Sequence, residues 1–133
     1  MRNIVLILIF CLVSIHAEDT FRIDNFKVTL FSKFEKKTVE IDTSMIFEGR
    51  YVEEYDFKII DVLNIVIGSF YAEDLLTSKG KIGLKEAIIS YAKDKHAIDI
   101  DEIYIQKLNI IKPLSDYSNI VKELKKAGCC NQQ

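Results

Sequence analysis

Few residues of this chain have the type and spacing that catalysis or metal binding requires. His96 is the single histidine after residue 17. A zinc site needs further histidine or cysteine ligands at short spacing, and the sequence places none near His96. We therefore interpret His96 as a residue at the end of a helix, where its protonated form interacts favourably with the helix dipole.

The acidic residues form two small clusters. Asp99, Asp101 and Glu102 lie close together, yet a calcium loop requires further oxygen ligands at regular offsets and a glycine turn. Glu73 and Asp74 have the chemistry of a general acid and base. Adjacent carboxylates before a helix more commonly interact with its dipole or with solvent, and we interpret this pair in that way.

Two glycines, Gly80 and Gly83, form a sparse pattern without the lysine signature of a phosphate-binding loop. A catalytic site would need a nucleophile with a base, paired carboxylates in a cleft, or a metal cluster. Since the sequence offers no such constellation, we expect a non-enzymatic protein without a cofactor or a bound metal.

Cys129 and Cys130 are adjacent near the end of the chain. Neighbouring cysteines rarely bridge each other, because disulfide geometry needs more widely separated Cα atoms. In an oxidising compartment they could join two chains. The alternative is that they belong to a flexible tail, residues 129–133, without a role.

Composition indicates one globular domain. The chain has 133 residues, of which 49% are hydrophobic and 29% are charged, and its net charge is −2. This length suits a single core, and the hydrophobic content is far from that of disordered chains. Because nucleic-acid binding needs a concentrated basic surface, we expect no nucleic-acid partner.

The N-terminus resembles an export signal over residues 1–17. Arg2 precedes an apolar run, Ile4 to Ile15, and Ala17 offers a small residue at a cleavage site. The run is shorter than the roughly 20 residues of a comfortable membrane span. We predict a cleaved signal peptide and a periplasmic protein. The alternative is an uncleaved anchor that holds the domain at the inner membrane, which is the one case with a membrane contact.

Hydrophobic periodicity predicts two strands followed by a buried helix. Alternation over residues 26–30 and 39–47 is typical of strands, and the short polar link between them favours an antiparallel hairpin. From Phe57 to Tyr71, polar residues recur at helical spacing along one narrow stripe. The rest of that helix is apolar, so we predict deep burial, with Leu63 and Ile67 in the core.

Thr77 or Ser78 is predicted to cap a second, amphipathic helix that runs to about Lys95. Residues 98–111 return to a strand pattern, with a bulge near the acidic residues. Ile103 and Ile105 are expected on one face and Tyr104, Leu108 and Ile110 on the other. Since both faces are apolar, this strand is predicted to be central in the sheet.

Ser115 or Asp116 is predicted to begin a last helix, which Gly128 ends. The predicted fold is a single α+β domain, residues 18–128. A small antiparallel sheet carries packed helices, in the order β-β-α-α-β-α.

One stretch resembles the flagellar basal-body-associated FliL family. The matching residues are Ile60-Asp61, Ser69, residues 73–81, Leu84-Lys85, Ile88 and residues 103–106, and residues 25–30 are similar to the family's first strand. Together they span roughly residues 26–111. The motif positions that match are Asp61, Leu75, Thr77, Gly80 and Leu84, and we interpret them first as structural. Gly80 would permit a helix to start tightly against the preceding turn, and Leu75 and Leu84 would pack in the core.

The resemblance implies a periplasmic domain related in fold to the stomatin-like group. It implies self-association and contact with the stator units of the flagellar motor, and it implies no enzymatic activity. The alternative that the residues leave open is an exported binding module of another kind, which would hold a small ligand or a peptide on the same α+β scaffold.

Overall fold

The computed structural model describes residues 18–111 and 115–128, and in the second range it describes side chains from residue 121 onwards. The strands are β1 (Asp19–Ser32), β2 (Lys37–Arg50) and β3 (Asp99–Ile111), and the helices are α1 (Asp56–Gly68), α2 (Ala72–Leu75), α3 (Ser78–His96) and α4 (Ser115–Lys126). The predicted α+β fold and its element order are confirmed, with α2 as one additional helical turn.

The predicted export segment, residues 1–17, and the predicted tail with Cys129 and Cys130 lie outside the described residues. Within the described ranges, no helix combines the length and the apolar character that a membrane span requires.

The sheet is antiparallel throughout, with β2 between β1 and β3. Rows of apolar residues cross all three strands on the face that the helices cover, because the register pairs the inward-facing residues of neighbouring strands. One row is Val28, Ile41 and Ile110, and another is Phe21, Phe47 and Ile103. Since side chains alternate along a strand, the opposite face carries the charged and polar residues.

The prediction that β3 is the central strand is wrong, since β3 lies at an edge. The hairpin partner β1 occupies one side of β2, and β3 takes the other. The predicted division of β3 into two apolar faces is also wrong. Ile105 pairs with Met45 and Lys107 with Ser44, so Gln106 is an extra, bulged residue. A bulge reverses the alternation, which brings Leu108 and Ile110 to the helix-covered face beside Ile103 and Ile105.

The predicted bulge near the acidic residues is present. Glu102 pairs with Glu48 and Ile100 with Gly49, which leaves Asp101 unmatched. A third register shift lies on β1 between Ile23 and Phe26. It faces the same part of β2 as the Gln106 bulge. Bulges increase the local twist of a strand, so the added twist of β1 and that of β3 both fall beside Ser44 of β2.

The helices α1 and α3 form the second layer. α1 contacts β1 and α3. Its buried residues are Ile59, Val62, Leu63, Val66 and Ile67. Leu63 and Ile67 are in the core as predicted, but burial around most of the helix is not observed. Phe57 is 61% exposed and Ile65 is 46% exposed. β1 and α3 cover α1 from one side only, so Phe57 and Ile65 face solvent.

Candidate functional site

Four of the five motif residues lie in or just after the turn between α2 and α3, which we call the motif turn (residues 73–80). Thr77 is the N-cap of α3 with an extended backbone, and its Oγ1 accepts a hydrogen bond from the Gly80 backbone N–H at 3.0 Å. The same hydroxyl donates to the Asp74 carbonyl oxygen at 2.8 Å. The cap therefore satisfies one free N–H of α3 and also fastens α3 to the end of α2.

Gly80 occupies a position where the backbone of α3 passes directly over the backbone of α2. A Cβ atom there would overlap the Asp74 carbonyl oxygen and would lie 3.0 Å from Thr77 Oγ1. The reason for glycine is thus the close approach of two backbone segments. The hypothesis that Gly80 lets the helix start tightly against the preceding turn describes this geometry.

Leu75, inside the motif turn, and Leu84, which follows it on α3, are both fully buried in the core. Asp61 lies elsewhere, exposed on α1. Its carboxylate Oδ2 is 3.4 Å from Nε2 of His96, the last residue of α3. Four of the five matching positions therefore belong to one structural unit, and the fifth joins the opposite end of α3 to α1.

Glu73 fastens the β1–β2 hairpin to the motif turn. Its Oε1 accepts hydrogen bonds from the Ser32 hydroxyl and from the Phe34 backbone N–H, the latter at 3.3 Å. Its Oε2 accepts from the Lys33 backbone N–H at 3.0 Å. The sequence interpretation of Glu73 as a dipole partner or a solvated charge missed this contact, because the acceptor and its donors are about 40 residues apart in the chain.

Asp74 and Tyr71 make a second contact with the same hairpin. Lys33 Nζ lies 3.1 Å from Asp74 Oδ2 and 4.2 Å from the centre of the Tyr71 ring. The Phe31 ring meets Tyr71 edge-on at 6.3 Å, and the backbones of these two residues form a parallel bridge. The ion pair is half-exposed, so each polar contact contributes little by itself. Together the contacts fix where the hairpin tip is presented.

The hydrogen bonds to Glu73 stabilise its charged form. The Ser32 hydroxyl has the largest effect, the Lys33 and Phe34 N–H groups add to it, and they lower the pKa of Glu73 to about 2. A carboxylate with a lowered pKa in the folded state contributes stability above its unfolded pKa, near 4.5. That contribution is lost as the pH falls through the folded value.

We expect Glu73→Gln to lower the thermal midpoint at pH 7, because a neutral amide is a weaker acceptor and its NH2 group meets backbone donors. The difference in thermal midpoint between the wild type and the variant should shrink as the pH falls from about 4.5 to about 2. Thermal melts by circular dichroism at several pH values measure it. Glu86→Gln, at an exposed position on α3, is the control. An equal, pH-independent deficit in both variants would contradict the role of Glu73.

Two surface clefts lie near these contacts. One, of about 350 Å³, borders the motif turn and is lined by Phe70, Asp74, Thr77, Lys79, Gly80 and Gly83. The other, of about 240 Å³, lies at the opposite end of α3 and is lined by Arg50, Ile89, Lys93, Ile98, Asp99, Ile100 and Asp101. Of the two, the cleft beside the motif turn reaches the roughly 300–1,000 Å³ that small-ligand pockets span.

His96 lies at the end of α3 as predicted, but it packs against neighbours. The Tyr91 ring meets it edge-on at 6.5 Å. Its Nε2 atom is buried and has no hydrogen-bond partner, although Asp61 Oδ2 is at ion-pair distance. The two atoms are therefore close but not aligned for a hydrogen bond. In the described part of the chain, no three His, Cys, Asp or Glu residues gather as metal ligands.

The acidic residues of β3 do not converge on one point. Asp99 forms an ion pair with Lys93 at 3.6 Å, and Glu102 forms one with Lys85 at 3.3 Å. Glu102 also accepts a hydrogen bond from the Ile103 backbone N–H, and this contact and Lys85 together lower the pKa of Glu102. Asp101 is the bulged residue between them. The ion pairs of Asp99 and Glu102 therefore connect α3 to the start of β3.

No family model matches this chain, and no curated protein is significantly similar to it.

Proposed function

We propose that this chain is a non-enzymatic, exported domain of FliL type, which supports the assembly or function of the flagellar motor and its stator in the periplasm. Its partners would be stator or basal-body proteins and further copies of itself. A membrane contact arises only if residues 1–17 are retained as an anchor.

The observation that supports this proposal is the motif turn. The residues that resemble the family make contacts within the fold: Thr77 caps α3, Gly80 admits the Asp74 backbone, and Leu75 and Leu84 fill the core. Such residues would be shared by proteins that keep the scaffold and act through their surfaces. The scaffold then presents the β1–β2 hairpin tip, where Phe34 is 84% exposed.

Deletion of the gene is expected to reduce swimming in liquid or in viscous medium, because the proposal gives the protein a role in the motor or its stator. Expression of the wild-type chain from a plasmid should restore motility. Swimming speed of single cells in media of two viscosities measures both. Normal swimming of the deletion strain in liquid and in viscous media would contradict the proposal.

The second candidate is an exported module that binds a small ligand or a peptide. The cleft of about 350 Å³ beside the motif turn favours it, because Phe70 supplies an apolar wall and Lys79 supplies a charged group. Thermal shift against a panel of small anions and peptides distinguishes the two candidates. Two results together would favour the second candidate. One is a ligand that raises the thermal midpoint of the wild type but not that of Gly83→Leu, and the other is normal motility of the deletion strain.

A further inference from the structure

The two ends of α3 are held in different ways. At its start, the Thr77 cap joins α3 to α2 through hydrogen bonds between neutral groups. At its end, Ala97 has the left-handed conformation, with φ 54° and ψ 35°. Glycine is the usual residue in this conformation at a helix end, because a Cβ atom makes it unfavourable. The last turn of α3 is therefore strained, and contacts with neighbouring elements must compensate for that strain.

His96 places an imidazole ring between this strained end and α1. Its Nε2 atom is buried without a hydrogen-bond partner, and it lies 3.4 Å from Oδ2 of Asp61 on α1. The Tyr91 ring meets the imidazole edge-on. A buried polar atom without a partner is costly. The position is thus a poor one for a neutral ring, whose Nε2 faces a carboxylate without a hydrogen bond.

Protonation changes what this contact does. An imidazolium ring carries a positive charge, which attracts the Asp61 carboxylate even without the alignment of a hydrogen bond. The C-terminal end of a helix also favours a cation. Burial opposes the charge, but the side chains of His96 and Asp61 are 24% and 56% exposed, so water moderates both effects. The attraction between the two residues is therefore modest, and it requires the proton.

Other charged residues lie close to this contact in the chain. Those within one helical turn of it, or at the start of β3 that follows it, are Lys58, Lys93, Asp94, Lys95 and Asp99. Lys58 Nζ lies 4.5 Å from the centre of the Tyr55 ring, and Lys93 pairs with Asp99 at 3.6 Å. Among the charged side chains in the described ranges, Asp61 is the one within ion-pair distance of the imidazole.

We infer that His96 and Asp61 form a pH-dependent latch between α3 and α1, which holds the strained end of α3 when the imidazole is protonated and releases it when the ring is neutral. Histidine is the side chain that ordinarily changes charge between pH 5 and 8, where carboxylates remain ionised. The latch therefore closes on acidification, while the neutral contacts of the Thr77 cap hold the other end of α3 throughout. The latch involves contacts within one chain, so it does not depend on the motility proposal.

A double-mutant cycle at two pH values tests the latch. The variants are Asp61→Asn, His96→Gln and their combination in the full-length chain, and urea unfolding at about pH 5 and about pH 8 gives each stability. We expect the two residues to couple by about threefold in the unfolding equilibrium constant at pH 5, and by no measurable amount at pH 8. His16 is present in every member of the cycle, so its contribution cancels.

Asp94→Asn supplies the matched control, because it removes the same charge from an exposed position on α3, two residues before His96. Residues two apart on a helix do not face each other. The cycle of Asp94 with His96 should therefore show no coupling at either pH. Equal coupling of His96 to Asp61 and to Asp94 would overturn the inference, and so would a coupling to Asp61 that is the same at both pH values.

Hydrogen exchange gives a local readout that keeps His96 in place. The Ala97 and Ile98 N–H groups donate to carbonyl oxygens of α3 at 3.0 and 3.2 Å, so their exchange reports opening of the last turn. We expect both amides to exchange about threefold faster in Asp61→Asn than in the wild type at pH 5, and equally fast in the two proteins at pH 8. Comparison of the two proteins at one pH removes the intrinsic pH dependence of exchange. An effect of Asp61→Asn at both pH values, or at neither, would count against the latch.

Discussion

Replacement of Gly80 by alanine is expected to destabilise the domain by about 2 kcal/mol. The new Cβ would overlap the Asp74 carbonyl oxygen, a backbone atom that cannot swing aside as a side chain can. Overpacking of this kind typically costs about 1–3 kcal/mol, and occasionally more. Alanine favours a helix over glycine by about 1 kcal/mol, which offsets only part of that penalty. Larger residues such as valine should have a larger effect.

Gly83→Ala provides the matched control three residues further along α3. A Cβ at Gly83 meets no atom within 4 Å, so only the helix preference acts, and we expect a gain of about 0.5–1 kcal/mol. Urea unfolding followed by circular dichroism measures both changes. If the two substitutions shift stability in the same direction, the close approach of the two backbones is not what requires glycine at position 80.

Ile67→Ala is expected to destabilise the domain by about 2–5 kcal/mol. Ile67 is fully buried on the face of α1 that packs against the rest of the core. Removal of its buried methyl and methylene groups loses their transfer free energy and leaves a cavity. Because small domains have about 5–15 kcal/mol of stability in total, the loss is a large fraction of it. A polar residue at this position, or at Leu63, should be worse.

The same substitution two residues earlier in α1 separates burial from helix preference. Ile65 is 46% exposed, so Ile65→Ala should change stability by no more than about 0.5 kcal/mol. The measurement is again the midpoint of urea unfolding, compared at equal slope. If Ile65→Ala destabilises the domain as much as Ile67→Ala, the exposed side of α1 is covered by something in solution.

The secondary structure follows largely from local patterns. Both hairpin strands, α1, α3, β3 and α4 are at the predicted places, because period-two and helical spacings are properties of neighbouring residues. The N-cap was predicted to be Thr77 or Ser78, and it is Thr77. The ends are less well predicted, since β1 begins at Asp19, seven residues before the alternation from Phe26.

The contacts of the candidate site were only partly predictable. The role of Gly80 was anticipated from its place in the motif, at the start of a predicted helix. The Glu73 contact with the hairpin was not, since its donors belong to Ser32, Lys33 and Phe34. The signal in the sequence for this contact is the acidic pair Glu73-Asp74 together with the lysine-rich hairpin turn that it contacts. Composition cannot indicate which lysine or backbone group such a pair reaches.

The sequence by itself determined the fold class, the element order and the core positions Leu63 and Ile67, because these depend on the local alternation of apolar and polar residues. The tertiary structure decided the position of β3 at the edge, the faces of Leu108 and Ile110 and the exposure of Phe57. The physical reason is that strand order and burial depend on which elements are neighbours in space. A single bulge at Gln106 reverses the faces of all residues after it, and no local pattern records that.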